Sequence, residues 1–335
     1  MNILIISTQD PFRTSGIVAH NLYQVLKDED TNVKVLIKEY KQFDSEDFIS
    51  IETPFDVFKE NWRGKFSRLF ARWGIKSKLE KTNVDYHVQD YDQTKQYYNT
   101  RDILNRINFK PDVIFYLFQQ NFLTARNLYE LNKLTGAKII WYMMDTAPMT
   151  GACHYSWDCN GFIVGCGNCP ALFSKKERDQ SSKNLDYKLK FLSRTDLQIV
   201  AATEFQFRQA KASYLYKNKP IHKILLSIDP EVFSTGSQKL EKIKWEIQTN
   251  KKVIFCGATS INNKRKGIKY LIEALHILST SSGIPSENIM LLVAGNSDSL
   301  FKSLPYDIKY IGFLSNDEQL ASVYKASDIF VCPSI

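Results

Sequence analysis

The chain has 335 residues, 44% of them hydrophobic and 24% charged, with a formal net charge of +8. That is enough apolar material for two domains with their own cores, and no apolar run reaches the length of a membrane-spanning helix, which excludes a helical membrane span. The positive balance points to a negatively charged partner: nucleic acid, anionic lipid or a phosphorylated substrate.

Asn2–Ser7 (NILIIS) reads as a short buried strand, and an amphipathic helix begins in the stretch Ser15–Leu22. Ser15 is expected to cap that helix, and Gly16 to let a ligand or a second domain approach the backbone at its positive end. The intervening loop, STQDPFRTSG, has neither the G-x-G-x-x-G of a dinucleotide site nor a P-loop. Val33–Tyr40 reads as the second strand.

A basic stretch follows. Between Trp62 and Lys81 seven basic residues face only Glu80, a local charge of +6, so most of the excess charge lies here. Trp62, Phe66, Leu69, Phe70 and Trp73 recur at helical spacing among cations that include Arg63, Arg68 and Arg72. That pattern suits an interfacial helix on an anionic membrane surface, although a helix packing its aromatics on its own core has the same signature. No second basic-aromatic cluster extends the surface as a nucleic-acid groove would require, so no nucleic-acid partner is expected.

From Arg101 helix and strand alternate: a helix to about Asn108, strand Asp112–Phe118, helix Phe122–Leu134 and strand Ala137–Met144. The loop 145–172 then carries four of the six cysteines, spaced C-x5-C-x6-C-x2-C at Cys153, Cys159, Cys166 and Cys169. The closing CGNC has the turn that lets two thiolates hold one tetrahedral metal, and His154 offers a further ligand. Structural zinc, disulfides and free thiols are the three readings. Because the loop is rich in glycine and has little helix or strand propensity, a metal clip would supply its order. It also leaves the carboxyl end of a strand, the edge where ligand crevices of open α/β sheets form.

Helix Asn184–Leu192, strand Leu197–Ala201, a helix from Glu204 and strand Ile221–Ile228 complete the first series, and the boundary is placed there, giving domains 1–228 and 229–335. Lys251–Ala258 opens a second series, and the loop Gly257–Gly267 puts Lys264, Arg265 and Lys266 directly before the helix Ile268–Leu278. A helix amino terminus already favours an anion, so a phosphate or diphosphate fits there; a solvated basic turn is the plainer reading. Strand Ile289–Asn296, ending Gly295-Asn296, strand Ile308–Ser315, helix Asn316–Lys325 and strand Asp328–Ser334 follow. The chain then stops on a strand expected to be buried, so the natural protein is expected to continue.

Taken in order, SIDPEVF, KGIKYLIEAL after a strand ending in Gly, LLVAGNSD and YIGFLSNDEQLASVYKASDIFVCPS resemble the retaining GT-B glycosyltransferases of family 4. TGACHYSWDC and GCGNCPAL are similar to a cysteine-rich bacterial subgroup that builds cell-surface polysaccharide. The resemblance implies an α/β fold of two Rossmann-like domains facing a cleft, the second incomplete, with acceptor on the first and nucleotide-sugar on the second. It makes Lys266 the diphosphate-binding lysine, with Arg265 or Lys264 in place of the arginine that is absent because Ala258 stands there. Gly257 and Gly295 belong to the same donor loops, and Phe313 to the segment that meets the nucleotide base. Gly16 lines the acceptor side. Asp145 matches the aspartate of a His-Asp pair near the reacting sugar; Met144 occupies the histidine's place, and His154 is the candidate replacement. The two glutamates that follow Pro-Ser in the family lie past Ile335.

These readings imply a retaining transfer from a nucleotide-diphosphate sugar to a membrane-associated glycan or lipid-linked acceptor, at the cytoplasmic face of the plasma membrane. No catalytic metal is expected. The rivals are an inactive membrane-associated scaffold of the same fold, which Met144, Ala258 and the missing glutamates favour, and a GT-B epimerase, which the basic aromatic stretch disfavours.

Overall fold

The computed structural model describes residues 1–13, 16–59, 62, 81–234, 236–281, 283–295 and 300–335. Ser15, Arg63, Phe66, Arg68, Phe70, Arg72 and Trp73 lie outside them, so the predicted cap and most of the basic aromatic stretch are not described. The chain divides into two compact units, Met1–Ser227 and Ile228–Ile335.

In the first unit seven strands, β1 (Asn2–Ser7), β2 (Asn32–Ile37), β3 (Phe48–Ser50), β4 (Val113–Tyr116), β5 (Lys138–Met143), β6 (Leu197–Ala201) and β7 (Ile221–Lys223), form one sheet in the order β3-β2-β1-β4-β5-β6-β7. Every neighbouring pair is parallel. A parallel sheet is covered on both faces, and the strands show why this one can be. Leu4 and Ile6 join a core with the helices Thr100–Ile107, Ala125–Thr135 and Gln180–Leu192, while Ile3 and Ile5 join the opposite core with Ile17–Leu26. The order reverses between β1 and β4, so the crevice for a ligand opens outside their carboxyl ends.

The second unit repeats the plan with β8 (Lys252–Gly257), β9 (Ile289–Ala294), β10 (Asp307–Gly312) and β11 (Ile329–Phe330), all parallel, in the order β10-β9-β8-β11. Cys256 and Val293 face the helix Ile268–Ser281; Phe255 and Leu292 face Asp317–Ala326.

Three sequence expectations fail. Strand Ile221–Ile228 shrinks to β7, because its only partner β6 ends at Ala201 and the ladder closes with Ile224 N–H on the Ala201 carbonyl. Leu225 and Ile228 beyond it are exposed. Strand Asp328–Ser334 is only β11, and it is not buried: at the sheet edge it pairs with Ile254 and Phe255 alone and exposes Ile329 and Phe330. Finally, the cysteine loop has order of its own, through the short helix Gly161–Val164, the 3-10 turn Pro170–Leu172 and the bonds described next.

Candidate functional site

In the first unit Asp145 follows β5 at the carboxyl edge, and the cysteine loop returns His154 onto it. His154 Nδ1 lies 2.6 Å from Asp145 Oδ2. An ionised carboxylate can only accept, so Nδ1 carries the proton and Nε2 is the free nitrogen. Asp145 Oδ1 accepts the Ala147 N–H at 2.9 Å, and the His154 carbonyl accepts both the N–H and the hydroxyl of Thr146. The turn therefore holds acid and imidazole at one spacing. His154 is only 3% exposed, so its ring addresses Asp145 and its neighbour His87, edge-on at 5.4 Å, rather than solvent.

Two structures outside the loop fasten it. From residues 81–93, Val88 bridges to Cys153, Asn83 N–H bonds the Ala171 carbonyl, and the His154 N–H bonds the Tyr86 carbonyl. Helix Gln180–Leu192 supplies the rest. Its cap Asp179 accepts from the Ser181 and Ser182 N–H groups with one oxygen and from Cys169 N–H with the other. Buried Asn184 donates to the carbonyls of Gly151 and Tyr91 and accepts from Gln93 N–H. Lys188, fully buried, donates to the carbonyls of Ala147 and Thr150. A side chain at Gly151 would put its Cβ 2.1 Å from the Ser181 carbonyl oxygen, so only glycine lets loop and helix meet.

Cys153, Cys159, Cys166 and Cys169 line one cavity of about 20 Å3 together with Tyr86 and Phe162. All are free thiols. Burial pushes Cys153 up to about 12 and Cys166 up to about 11, and it raises Cys169 as well. Among the described residues no three His, Cys, Asp or Glu side chains stand at metal-binding spacing.

Gly16 sits in the loop after β1, at the amino end of Ile17–Leu26. The close approach it permits is by the loop's own Asp10, whose carbonyl oxygen would be 1.9 Å from a Cβ there. Thr8 and Gln120, hydrogen-bonded at 2.8 Å, mark the strand-order reversal nearby.

In the second unit the predicted donor residues gather at one sheet edge. Gly257 ends β8, Gly295 follows β9 and Phe313 follows β10, with Gly295 N–H bonded to the Gly312 carbonyl at 2.7 Å. Lys264–Lys266 form a 3-10 turn capped by Asn263, and Gly267 leads into Ile268–Ser281. Lys266 is half-buried and has no side-chain hydrogen bond or ion pair among the described residues. Phe313 is exposed, and Ile335 N–H bonds the Arg265 carbonyl. Of the basic aromatic stretch, Trp62 is described: it is 49% exposed and lies against Phe58, itself exposed with Phe55. No helix among the described residues is long and apolar enough to cross a membrane.

Sequence reasoning missed Tyr86, His87, Asp90 and Lys188. The stretch around Tyr86 and Asp90 has no regular period, so nothing there could be read. Lys188 had a signal: it stands three residues after Leu185 and four before Leu192, on the buried face of its helix.

Residues 250–335 match the family model described as glycosyl transferases group 1. No curated protein matches by sequence. Among solved structures, sucrose-phosphate synthase from Thermosynechococcus elongatus is similar at 15% identity and TM-score 0.57, over 99% of this chain and 75% of that one. HepE from Anabaena, in complex with UDP and glucose, is similar at 13% identity and TM-score 0.52, over 100% and 74%. WaaG, a glycosyltransferase involved in lipopolysaccharide biosynthesis, is similar at 12% identity and TM-score 0.53, over 100% and 75%. The chain has the α/β GT-B fold of these proteins, built from two Rossmann-like domains, and its second unit carries the group 1 glycosyltransferase match.

Proposed function

We propose that the protein is a retaining glycosyltransferase that moves a sugar from a nucleotide-diphosphate sugar, bound by the second unit, to a membrane-associated glycan or lipid-linked acceptor, bound by the first. The observation that carries this reading is Lys266: a half-buried ammonium with no partner among the described residues, beside the amino end of Ile268–Ser281 and inside the matched segment. When the bond between the anomeric carbon and the diphosphate oxygen breaks, two negative charges accumulate on the leaving group. Lys266, its basic neighbours Lys264 and Arg265, and the helix dipole all stabilise that charge as it forms. This account asks for no catalytic metal. HepE, described in complex with UDP and glucose, supports a nucleotide-sugar as the donor.

Asp145 is the acid group of the first unit, and His154 positions it. The acceptor's membrane origin rests on the charge of the stretch 62–81 and on the exposed Trp62, Phe58 and Phe55. A cytoplasmic donor and a membrane acceptor set the enzyme at the inner face of the plasma membrane, in cell-surface polysaccharide synthesis.

The test is release of nucleoside diphosphate from UDP-, GDP- and ADP-sugars in the presence of membranes carrying lipid-linked glycan. One donor is expected to turn over, and Lys266→Ala to lose about 10²- to 10³-fold, as for removal of a transition-state charge partner. Unchanged turnover in the variant removes Lys266 from the chemistry. Binding to anionic vesicles with no release from any donor favours the inactive scaffold instead, the reading that Met144 and Ala258 support.

A further inference from the structure

We propose that Cys153, Cys159, Cys166 and Cys169 bind one structural zinc ion as thiolates, and that this metal fixes the loop that sets His154 against Asp145. Three observations converge. The four side chains line one cavity of about 20 Å3, room for a single ion and for no organic ligand or iron–sulfur cluster. The sulphurs are met by backbone donors: Gly161 N–H on Cys159 Sγ at 3.4 Å, Gly151 on Cys166, and Ala171 and Leu172 on Cys169. A thiol is a weak acceptor, whereas a metal-bound thiolate needs such donors to spread its charge. Third, Lys188 brings a fully buried ammonium beside Cys166 and Cys153, with no carboxylate in ion-pair contact among the described residues.

The charges balance. Four thiols bind Zn2+ with release of four protons, leaving a centre of formal charge −2 that the Lys188 ammonium and the backbone donors offset. Disulfides fit less well, since Cys166, Gly167 and Asn168 are successive left-handed residues, with φ of 59°, 96° and 46°, that wrap CGNC around the cavity. The thiols do not yet stand at ligand spacing, so binding draws them inward across the cavity. Four protein ligands leave no open position, so the ion is structural and stands apart from sugar transfer.

The decisive measurement is the metal content of the full chain, purified in reductant without chelator, followed by exchange with Co2+. One zinc per chain is expected, released as four thiols are titrated with a mercurial, and the cobalt form should show thiolate charge-transfer bands and the intense d–d bands of a tetrahedral sulfur site. Cys169→Ser should lose the metal and Cys332→Ser, in the other unit, should keep it. Should Cys169→Ser fail to fold, the wild-type metal count and cobalt spectrum still decide. Zinc well below one per chain, a cobalt spectrum without thiolate bands, or disulfides among these four cysteines in fresh protein would each overturn the proposal.

Discussion

His154 and Asp145 show what a single contact can and cannot do. The imidazole is buried, so its effect on chemistry runs through the carboxylate it holds. His154→Ala should therefore lower kcat on the order of 10²-fold, as expected for a misplaced reacting group, with little change in donor KM. His154→Asn keeps an N–H donor near the position of Nδ1 and should recover part of the loss. Equal rise in KM and fall in kcat for both variants would mean that the loop had collapsed instead. Both residues were legible in the sequence, Asp145 at a strand end and His154 in the cysteine loop, but their contact was not, because it depends on a nine-residue return of the chain that no periodicity encodes. Lys188 was legible only in part. Its place in the apolar stripe of Gln180–Leu192 is visible in the sequence, whereas the carbonyls of Ala147 and Thr150 that receive its ammonium come from a distant turn.

At the scale of elements, the loop owes its shape to the helix it lies on. Asp179→Ala removes the cap of Gln180–Leu192 and the acceptor for Cys169 N–H at once; loss of stability of about 1 kcal/mol is expected from the cap alone. Urea unfolding measures it, and an unchanged midpoint would show that the cap contributes nothing. In the second unit Asp328 ties β8 to the helix Gln238–Lys244, accepting from Val253 N–H and from Lys242, a buried ammonium 2.9 Å away. Burial alone would raise the Asp328 pKa, but the Val253 N–H and the two lysines outweigh it and hold it below the usual range. Its folded pKa is depressed, so its stabilisation is complete above the unfolded value of about 4 and is lost as pH falls through the folded one. Asp328→Asn should cost about 3 kcal/mol at pH 7 by leaving Lys242 buried without its charge partner, with the difference from wild type shrinking in acid. A deficit that stayed constant down to acid would contradict this. The long parallel strands were readable as continuous apolar runs. The three-residue β3 and the helices Pro230–Ser234 and Gln238–Lys244 were not, since elements so short carry no period and exist through their neighbours.

For the whole molecule, two Rossmann-like units of one polypeptide divide the labour that the proposed reaction needs, donor on one and acceptor on the other. The fold was legible because β-loop-α units repeat along the chain, and the matched segment 250–335 coincides with the second series. Membrane association belongs to this scale as well. Anionic vesicles should bind the protein at low salt and release it as screening increases, and Trp62→Ser with charge reversal of Arg68 and Arg72 should weaken binding at least tenfold; equal affinity for neutral vesicles would point away from the basic stretch. The central claim is that the second unit binds a nucleotide-diphosphate sugar through Lys266. Calorimetric titration of the full chain with a panel of UDP-, GDP- and ADP-sugars tests it most directly, with Lys266→Ala as the paired variant. Saturable one-to-one binding of a single donor class, greatly weakened in the variant, is the predicted result. A folded wild-type chain that takes up none of these donors, or a variant that binds as tightly as wild type, would contradict it.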